Sequence, residues 1–266
     1  ARAEGPYIYD KQGKRYLEGM AGLWCTALGY GNEEIIEAAE RQMRELSFSH
    51  MFGGKTHSSA IELADKLAAM VPLQDGRVFL GNSGSDANDT LLKLVRYHAE
   101  ASGQPNRIKV IAREQGYHGV TLASAALTAI PTNHAHFQLP FEALGVLRTG
   151  SANYYRGAND GESEAEFVAR RAQELEALIL AEGPETIAAM IAEPVSGAGG
   201  VIVPPEGYFE AIQAVLDRYG IWLWDDEVIC GFGRLGTDFG ANKMSMRPQM
   251  MTLAKALSSA YVPVSA

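Results

Sequence analysis

Hydrophobic and polar positions along the chain follow two different periods. Short apolar runs, typical of buried strands, occupy residues 77–80, 108–112, 187–192, 221–224 and 250–254. Between them, apolar residues recur three and four positions apart, which is the pattern of amphipathic helices. Because strands alternate with helices, the sequence predicts an α/β fold with a mainly parallel sheet.

Helix boundaries can be predicted from capping residues. Asn32 is expected to cap a helix with apolar residues to position 46, and Pro72 to end the helix after it. Ser163 and Glu166 have the spacing of a capping box, and that helix should stop at residues 183–184. A further helix is expected over residues 208–219.

Three stretches lack the period of a helix or a buried strand. Residues 7–10 and 15–18 flank a glycine turn and predict a small hairpin, while residues 22–31 are too rich in glycine for regular structure. Residues 131–155 show no period and are expected to form a long surface loop. The chain is therefore expected to comprise an N-terminal segment, 1–50, and a large domain, 51–266.

Composition narrows the class of protein. The chain has 266 residues, is 47% hydrophobic and carries a net charge of −9, with no basic block that would favour nucleic acid or an anionic membrane. Cys25 and Cys230 are far apart and are expected to be reduced thiols in a cytoplasmic protein. The histidines lack metal-ligand spacing, so no metal site is expected.

An acid and a lysine follow two of the predicted strands. Asp226 lies at the end of one apolar run, and Lys255 lies at the end of the next. One interpretation is a salt bridge at the strand ends. The other is a Schiff-base lysine with an aspartate partner for a pyridinium nitrogen, the pair that pyridoxal phosphate (PLP) requires.

A turn rich in glycine and serine opens the helix that follows residues 77–80. Such a turn can direct free backbone N–H groups and the helix dipole towards a phosphate. It matches neither a Walker loop nor a dinucleotide fingerprint, and serine with aspartate at a helix start can also be a plain cap. Considered alone, the turn leaves both interpretations open.

Five motifs together carry a resemblance to the class III aminotransferases, PLP-dependent enzymes of fold type I. In chain order they are NSGSDAND (82–89), GYHG (116–119), EPVSGAGGVIVPPEGY (193–208), DEVICGFGRLG (226–236) and LAKALSS (253–259). The resemblance runs essentially from end to end. It therefore implies the fold, cofactor and site residues of that family.

The resemblance gives each motif residue a role. Lys255 is similar to the lysine that binds PLP covalently and later moves the substrate proton, and Asp226 to the residue that keeps the ring nitrogen protonated. Val228 and Tyr117 are expected on the two faces of the ring. The cofactor-binding residues implied by the resemblance are Ser83, Gly84, Ser85, Tyr117, His118, Glu193, Asp226, Val228 and Lys255.

The resemblance also implies an activity. It is amino-group transfer from an amine or ω-amino acid to pyruvate or a similar keto acid, in a homodimer with active sites at the subunit interface. Trp24 and Tyr117 are expected to line the pocket for the substrate. An aminomutase, a decarboxylase, or a catalytically silent PLP-binding fragment are the alternatives.

The sequence departs from the family pattern at two points. Asp86 stands where the family more often has glutamate, which is expected to affect capping more than chemistry. The chain also ends shortly after Lys255, so the small C-terminal domain of the family is expected to be missing from it. The chain is therefore expected to be a poor catalyst alone.

Overall fold

A five-stranded parallel sheet forms the centre of the protein in a computed structural model that describes residues 1–266. Its strands are β4 (Lys109–Arg113), β5 (Val146–Thr149), β6 (Ile187–Ala192), β7 (Trp222–Asp226) and β8 (Met250–Thr252). They lie side by side in the order β5-β4-β6-β7-β8, and every pair is parallel. This architecture confirms the predicted α/β class.

A second, antiparallel sheet lies at the N-terminus. It consists of β1 (Arg2–Glu4), β2 (Tyr7–Tyr9) and β3 (Arg15–Leu17), and β2 pairs with both neighbours. The hairpin predicted between residues 7–10 and 15–18 is thereby confirmed, and β1 is an additional strand.

Helices cover both faces of the parallel sheet, and their bounds follow the capping residues. Asn32 Oδ1 accepts a hydrogen bond from the N–H of Ile35, and Ser163 and Glu166 form the predicted capping box. The helices are α1 (Ala21–Trp24), a single turn in which every residue has positive φ, and α2 (Glu33–Glu45), α3 (Ser58–Met70), α4 (Gly84–Ala101), α5 (Leu122–Leu127), α6 (Phe141–Leu144), α7 (Tyr154–Gly157), α8 (Glu164–Glu182), α9 (Tyr208–Arg218) and α10 (Gly240–Lys243).

The core consists of one apolar layer on each face of the sheet. Met190 and Leu223 pack with side chains of α8 and α9 on one face. Ile191 and Trp224, the next residues along the same strands, pack with side chains of α4 on the other. Because successive side chains of a strand point to opposite faces, β6 and β7 are apolar on both sides, which is why they form continuous hydrophobic runs.

The predicted strand at 77–80 is not formed. Only Gly81, the next residue, has a ladder partner, Ser265, and the two exchange backbone hydrogen bonds of 2.8 and 2.9 Å. Ala266 makes the same exchange with Leu253, just after β8. Residues 77–80 have the composition of a strand, but a strand also requires a hydrogen-bonded neighbour along its length.

The predicted long loop at 131–155 is also wrong in part. It contains the short helix α6 and the strand β5, which is the outer strand of the parallel sheet and pairs with β4. β5 was missed because an outer strand of four residues is too short for its period to be recognised. The available signal in the sequence was a glycine just before the strand. This residue, Gly145 (φ 63°, in the left-handed region), ends helix α6.

No helix of the protein is both long enough and apolar enough to span a membrane.

Candidate active site

A cavity of about 390 Å³ lies beyond the carboxyl ends of β6, β7 and β8, where α/β proteins commonly bind ligands. It brings together residues from all five sequence motifs and from the last residues of the chain. Its lining comprises Asn82, Ser83, Gly84, Ser85, Tyr117, His118, Gly119, Glu193, Asp226, Val228, Ile229, Ala254, Lys255, Ser258, Ala260, Val262, Pro263 and Val264.

Asp226, the last residue of β7, is held by three hydrogen-bond donors. Its Oδ2 atom accepts from Asn88 Nδ2 at 3.0 Å and lies 2.8 Å from His118 Nδ1. Its Oδ1 atom accepts from the N–H of Val228 at 3.2 Å. Asp226 is 3% exposed, so this set of donors replaces water around a buried carboxylate.

Asp225 and Glu227 lie on the other face of β7 because side chains alternate along a strand. Both are fully buried, and neither carboxyl oxygen of Asp225 has a hydrogen-bond partner. Burial, followed by the nearby carboxylates of Glu227 and Asp226, raises the pKa of Asp225 well above its usual value. Burial likewise raises the pKa of Glu227, whose Oε1 accepts from the N–H of Ala241.

Glu193, just after β6, forms the floor of the cavity. Its Oε1 accepts from the N–H of Tyr117 at 3.0 Å, and its Oε2 from the N–H of Gly197 at 2.9 Å. Burial raises the pKa of this carboxyl despite those donors and the nearby His118. The Glu193 side chain therefore ties the Tyr117 loop to the end of β6.

The N-terminus of α4 opens into the same cavity. Ser83 and Asp86 form a capping box there, and Asp86 also accepts from the N–H of Asn82 at 3.0 Å and from Ser265 Oγ. The N–H groups of Gly84 and Ser85 belong to the first turn, which has no acceptors within the helix. The α4 terminus is thus an anion site by geometry and dipole.

Val228 packs directly against this terminus. A Cβ atom on Gly84 would lie 2.8 Å from Val228 Cγ2, so only glycine permits the approach. Val228 and Tyr117 both line the cavity.

Lys255 follows β8 and is half-buried at the cavity wall. Its backbone has φ 47°, in the left-handed region that a lysine rarely adopts. Such a conformation costs on the order of 1–3 kcal/mol and persists only where the surrounding structure holds it. The backbone of this residue is therefore kept in a strained state beside the cavity.

Eight further residues of the predicted site line the cavity with Lys255, and one predicted residue does not. Trp24, expected in the substrate pocket, is not part of the lining; it lies in the N-terminal segment, at a turn where Leu23 and Trp24 both have positive φ. Sequence reasoning missed Asn88, which donates to Asp226, although it belongs to the first motif. The available signal was a polar residue, Asn88, in a helix predicted to pack against the sheet, since a buried polar side chain requires a partner.

These residues fit PLP. The cavity holds the amine of Lys255, which matches the aldehyde of PLP, and the buried carboxylate of Asp226, which matches its ring nitrogen. The open first turn of α4 matches its phosphate. His118 Nε2 is buried without a hydrogen-bond partner in the same region, so this atom is free to bond with a ligand.

Comparison with known protein families supports this chemistry. The family model "Aminotransferase class-III" matches residues 1–266. A rice (Oryza sativa subsp. indica) protein named "Probable gamma-aminobutyrate transaminase 2, mitochondrial" is 52% identical over the whole chain. The tomato (Solanum lycopersicum) "Gamma aminobutyrate transaminase 3, chloroplastic" is 50% identical. The chain spans about half of these relatives, 53% and 51% of their lengths.

Solved structures agree on the fold. The ω-transaminase from Pseudomonas jessenii, solved in complex with PMP, has a TM-score of 0.97 to this chain with 52% identity. All of this chain is covered, and 58% of that structure.

The predicted cytoplasmic location is contradicted by the curated relatives, which are named mitochondrial or chloroplastic. The prediction rested on two unpaired cysteines, and reduced thiols do not distinguish the cytosol from an organelle interior.

Proposed function

The chain belongs to the class III aminotransferase family, and from that premise we propose that it moves an amino group from an amine or ω-amino acid to pyruvate or a similar keto acid. The observation that carries the proposal is the cavity that Asp226, Lys255 and the α4 terminus share. Relatives named γ-aminobutyrate transaminase and ω-transaminase support an ω-amino acid or amine donor.

PLP, when bound, supplies a protonated ring that stabilises negative charge on the carbon next to the substrate nitrogen. Asp226 Oδ1 has one hydrogen-bond donor, the N–H of Val228, and would accept a second from the ring nitrogen. Asp226 would thereby hold the proton on that nitrogen, while Asn88 and His118 keep its carboxyl group in place.

Lys255 would perform two tasks at one atom. Its Nζ amine would hold the aldehyde carbon until the substrate amine replaces it. The released amine would then take the proton from the substrate carbon and return it one position away. A lysine suits both tasks since its four-carbon stem lets the same nitrogen reach neighbouring atoms.

The remaining lining residues would bind and orient. The first-turn N–H groups of α4, at Gly84 and Ser85, would hold the phosphate, with Ser83 as the cap that fixes the turn. Val228 and Tyr117 would enclose the ring from its two faces. His118 would act through Asp226, and Glu193 would hold the Tyr117 loop in place.

We propose a homodimer with the cavity at the subunit interface as the functional state, and residues 1–50 as a segment distinct from the large domain. Large apolar side chains that remain exposed in the N-terminal segment support this arrangement, including Leu17 (69% exposed) and Phe48 (80%). Exposed apolar side chains in clusters are typical of protein interfaces.

A two-substrate assay tests the activity. The intact protein, loaded with PLP, is given 4-aminobutyrate or a primary amine together with pyruvate, and alanine formation is measured. We expect alanine in stoichiometric amounts with the aldehyde or ketone product, its loss in Lys255→Ala, and wild-type rates in the control Lys243→Ala, which alters an exposed lysine. Release of carbon dioxide without alanine would contradict amino transfer and indicate a decarboxylase.

A further inference from the structure

A buried chain of hydrogen bonds runs from the core of the sheet to Asp226. Trp224 Nε1 donates to Thr252 Oγ1 at 2.8 Å, and Thr252 Oγ1 donates to Asn88 Oδ1 at 2.7 Å. Asn88 Nδ2 then donates to Asp226 Oδ2 at 3.0 Å and to the carbonyl oxygen of His118 at 2.7 Å. The four side chains come from α4, β7 and β8.

The direction of this chain is determined by chemistry. An indole N–H can only donate, so the Thr252 oxygen must accept from it, and the single hydroxyl proton must point to Asn88. Asn88 is thereby forced to present its amide oxygen to Thr252 and its NH₂ group to Asp226. A flipped amide would place an oxygen against the carboxylate and leave the Thr252 proton without an acceptor.

The three side chains behind Asp226 are excluded from water. Asn88, Thr252 and Trp224 are each 0% exposed, so no solvent molecule can replace a lost partner. Buried polar groups without partners are costly, and a fully satisfied buried network specifies one arrangement of its members. Asn88 and Thr252 are absent from the cavity lining, so neither contacts a ligand there.

We infer that Asn88 and Thr252 are positioning residues, which fix the orientation of Asp226 from the core side and so set its hold on the ring nitrogen of the cofactor. This inference rests on the proposed function, because it concerns what Asp226 binds. It assigns a purpose to the NH₂ group of Asn88 and to the hydroxyl of Thr252, which the site chemistry otherwise leaves unused.

The test compares two ligands that differ at one atom. PLP has the ring nitrogen, whereas its 1-deaza analogue has a C–H group in that place and cannot bond with Asp226. The intact protein is freed of cofactor, and the dissociation constant of each ligand is measured by fluorescence quenching. The variants are Thr252→Val, which removes the hydroxyl at nearly equal shape, and Thr252→Ser, which retains it.

We expect Thr252→Val to weaken PLP binding about tenfold, because Asn88 is no longer held with its NH₂ group towards Asp226, and to leave the deaza analogue within about twofold of wild type. Thr252→Ser should restore PLP binding. Trp224→Phe, a second variant should Thr252→Val not fold, removes the donor that orients the hydroxyl and should weaken binding of PLP alone, about threefold.

Equal losses for both ligands in Thr252→Val would overturn the inference, since they would show a general structural role. Unchanged binding of both would overturn it as well. A wild-type protein that does not prefer PLP over the deaza analogue would instead contradict the role of Asp226, and with it the proposed function.

Discussion

At the scale of single residues, Asp225 and Asp226 are neighbours in sequence with opposite surroundings. Asp226 opens onto the cavity and is held by three donors, whereas Asp225 points into the core with no partner for either oxygen. The alternation of side chains along β7 is sufficient to produce this difference. It determines which of the two can interact with a ligand.

Replacement of each aspartate should separate their roles in catalysis. We expect Asp226→Asn to bind PLP but to slow amino transfer at least about 100-fold, because the ring nitrogen loses the charge that keeps it protonated. Asp225→Asn should keep near wild-type turnover. Single-turnover kinetics with an amine donor measure both, and the reverse order of effects would exchange the two assignments.

The buried Asp225 carboxyl should also make stability depend on pH. Its raised pKa means that the folded protein holds this proton more tightly than the unfolded chain does. Its contribution to the free energy of unfolding is therefore most favourable at low pH and declines as pH rises above the ordinary pKa of aspartate.

Asp225→Asn removes this titration. We expect a gain of about 1–3 kcal/mol in the free energy of unfolding at pH 7.5, which should shrink towards pH 4. Denaturant unfolding at several pH values measures it, with Asp160→Asn, at an exposed site, as the control. A gain that grows towards low pH would contradict the assignment.

At the scale of elements, the site depends on the contact between the α4 terminus and the segment after β7. The glycine at the first position of α4 lets Val228 approach to a distance that a Cβ atom would forbid. The helix terminus and Val228 are thus fixed relative to one another.

Gly84→Ala should disturb both parts of this contact. We expect PLP affinity to fall about tenfold, because the new methyl group displaces Val228, while the helix itself gains slightly in propensity. Gly19→Ala, where a Cβ atom would meet nothing within 4 Å, is the matched control. Unchanged affinity in Gly84→Ala, measured by equilibrium titration, would show that Val228 is free to move.

Sequence patterns predicted those elements whose pattern lies entirely within their own residues. The runs at β6 and β7 are buried on both faces and are continuous in the sequence, and the Asn32 and Ser163 caps are local features. The errors arose where structure depends on partners distant in the chain. The four-residue strand β5, the unpaired residues 77–80 and the Asn88–Asp226 bond, which spans 138 residues, are all of this kind.

The site residues were predicted by resemblance more than by physics. Periodicity alone placed Asp226 and Lys255 at strand ends and left a salt bridge as the favoured interpretation. Five motifs in order indicated the cofactor. Trp24 is not among the residues that line the cavity, so its place in a substrate pocket stays a prediction from the resemblance.

At the scale of the whole molecule, the N-terminal segment, which includes α2, and the residues just after it carry apolar side chains in water. Helix α2 has no buried residue, and Phe52 and Met43 are 81% and 61% exposed. Such side chains are stabilised when a partner surface covers them.

We expect the intact protein to sediment as a dimer at micromolar concentration, and Phe52→Glu to weaken dimerisation about tenfold or more, because a buried charge replaces an aromatic contact. Tyr155→Glu, which alters a side chain 90% exposed outside this segment, is the control. Analytical ultracentrifugation measures both. A monomeric wild-type protein would contradict the proposed dimer, and equal effects of the two variants would place the interface elsewhere.

The central claim, that Lys255 and Asp226 share a PLP site, is tested most directly by trapping the cofactor. The protein with bound PLP is reduced with borohydride, digested, and its peptides are analysed by mass spectrometry. The account predicts a pyridoxyl group on the peptide that contains Lys255 and on no other. A label on Lys93 of α4, or on Lys109, which pairs with Glu182, would contradict it.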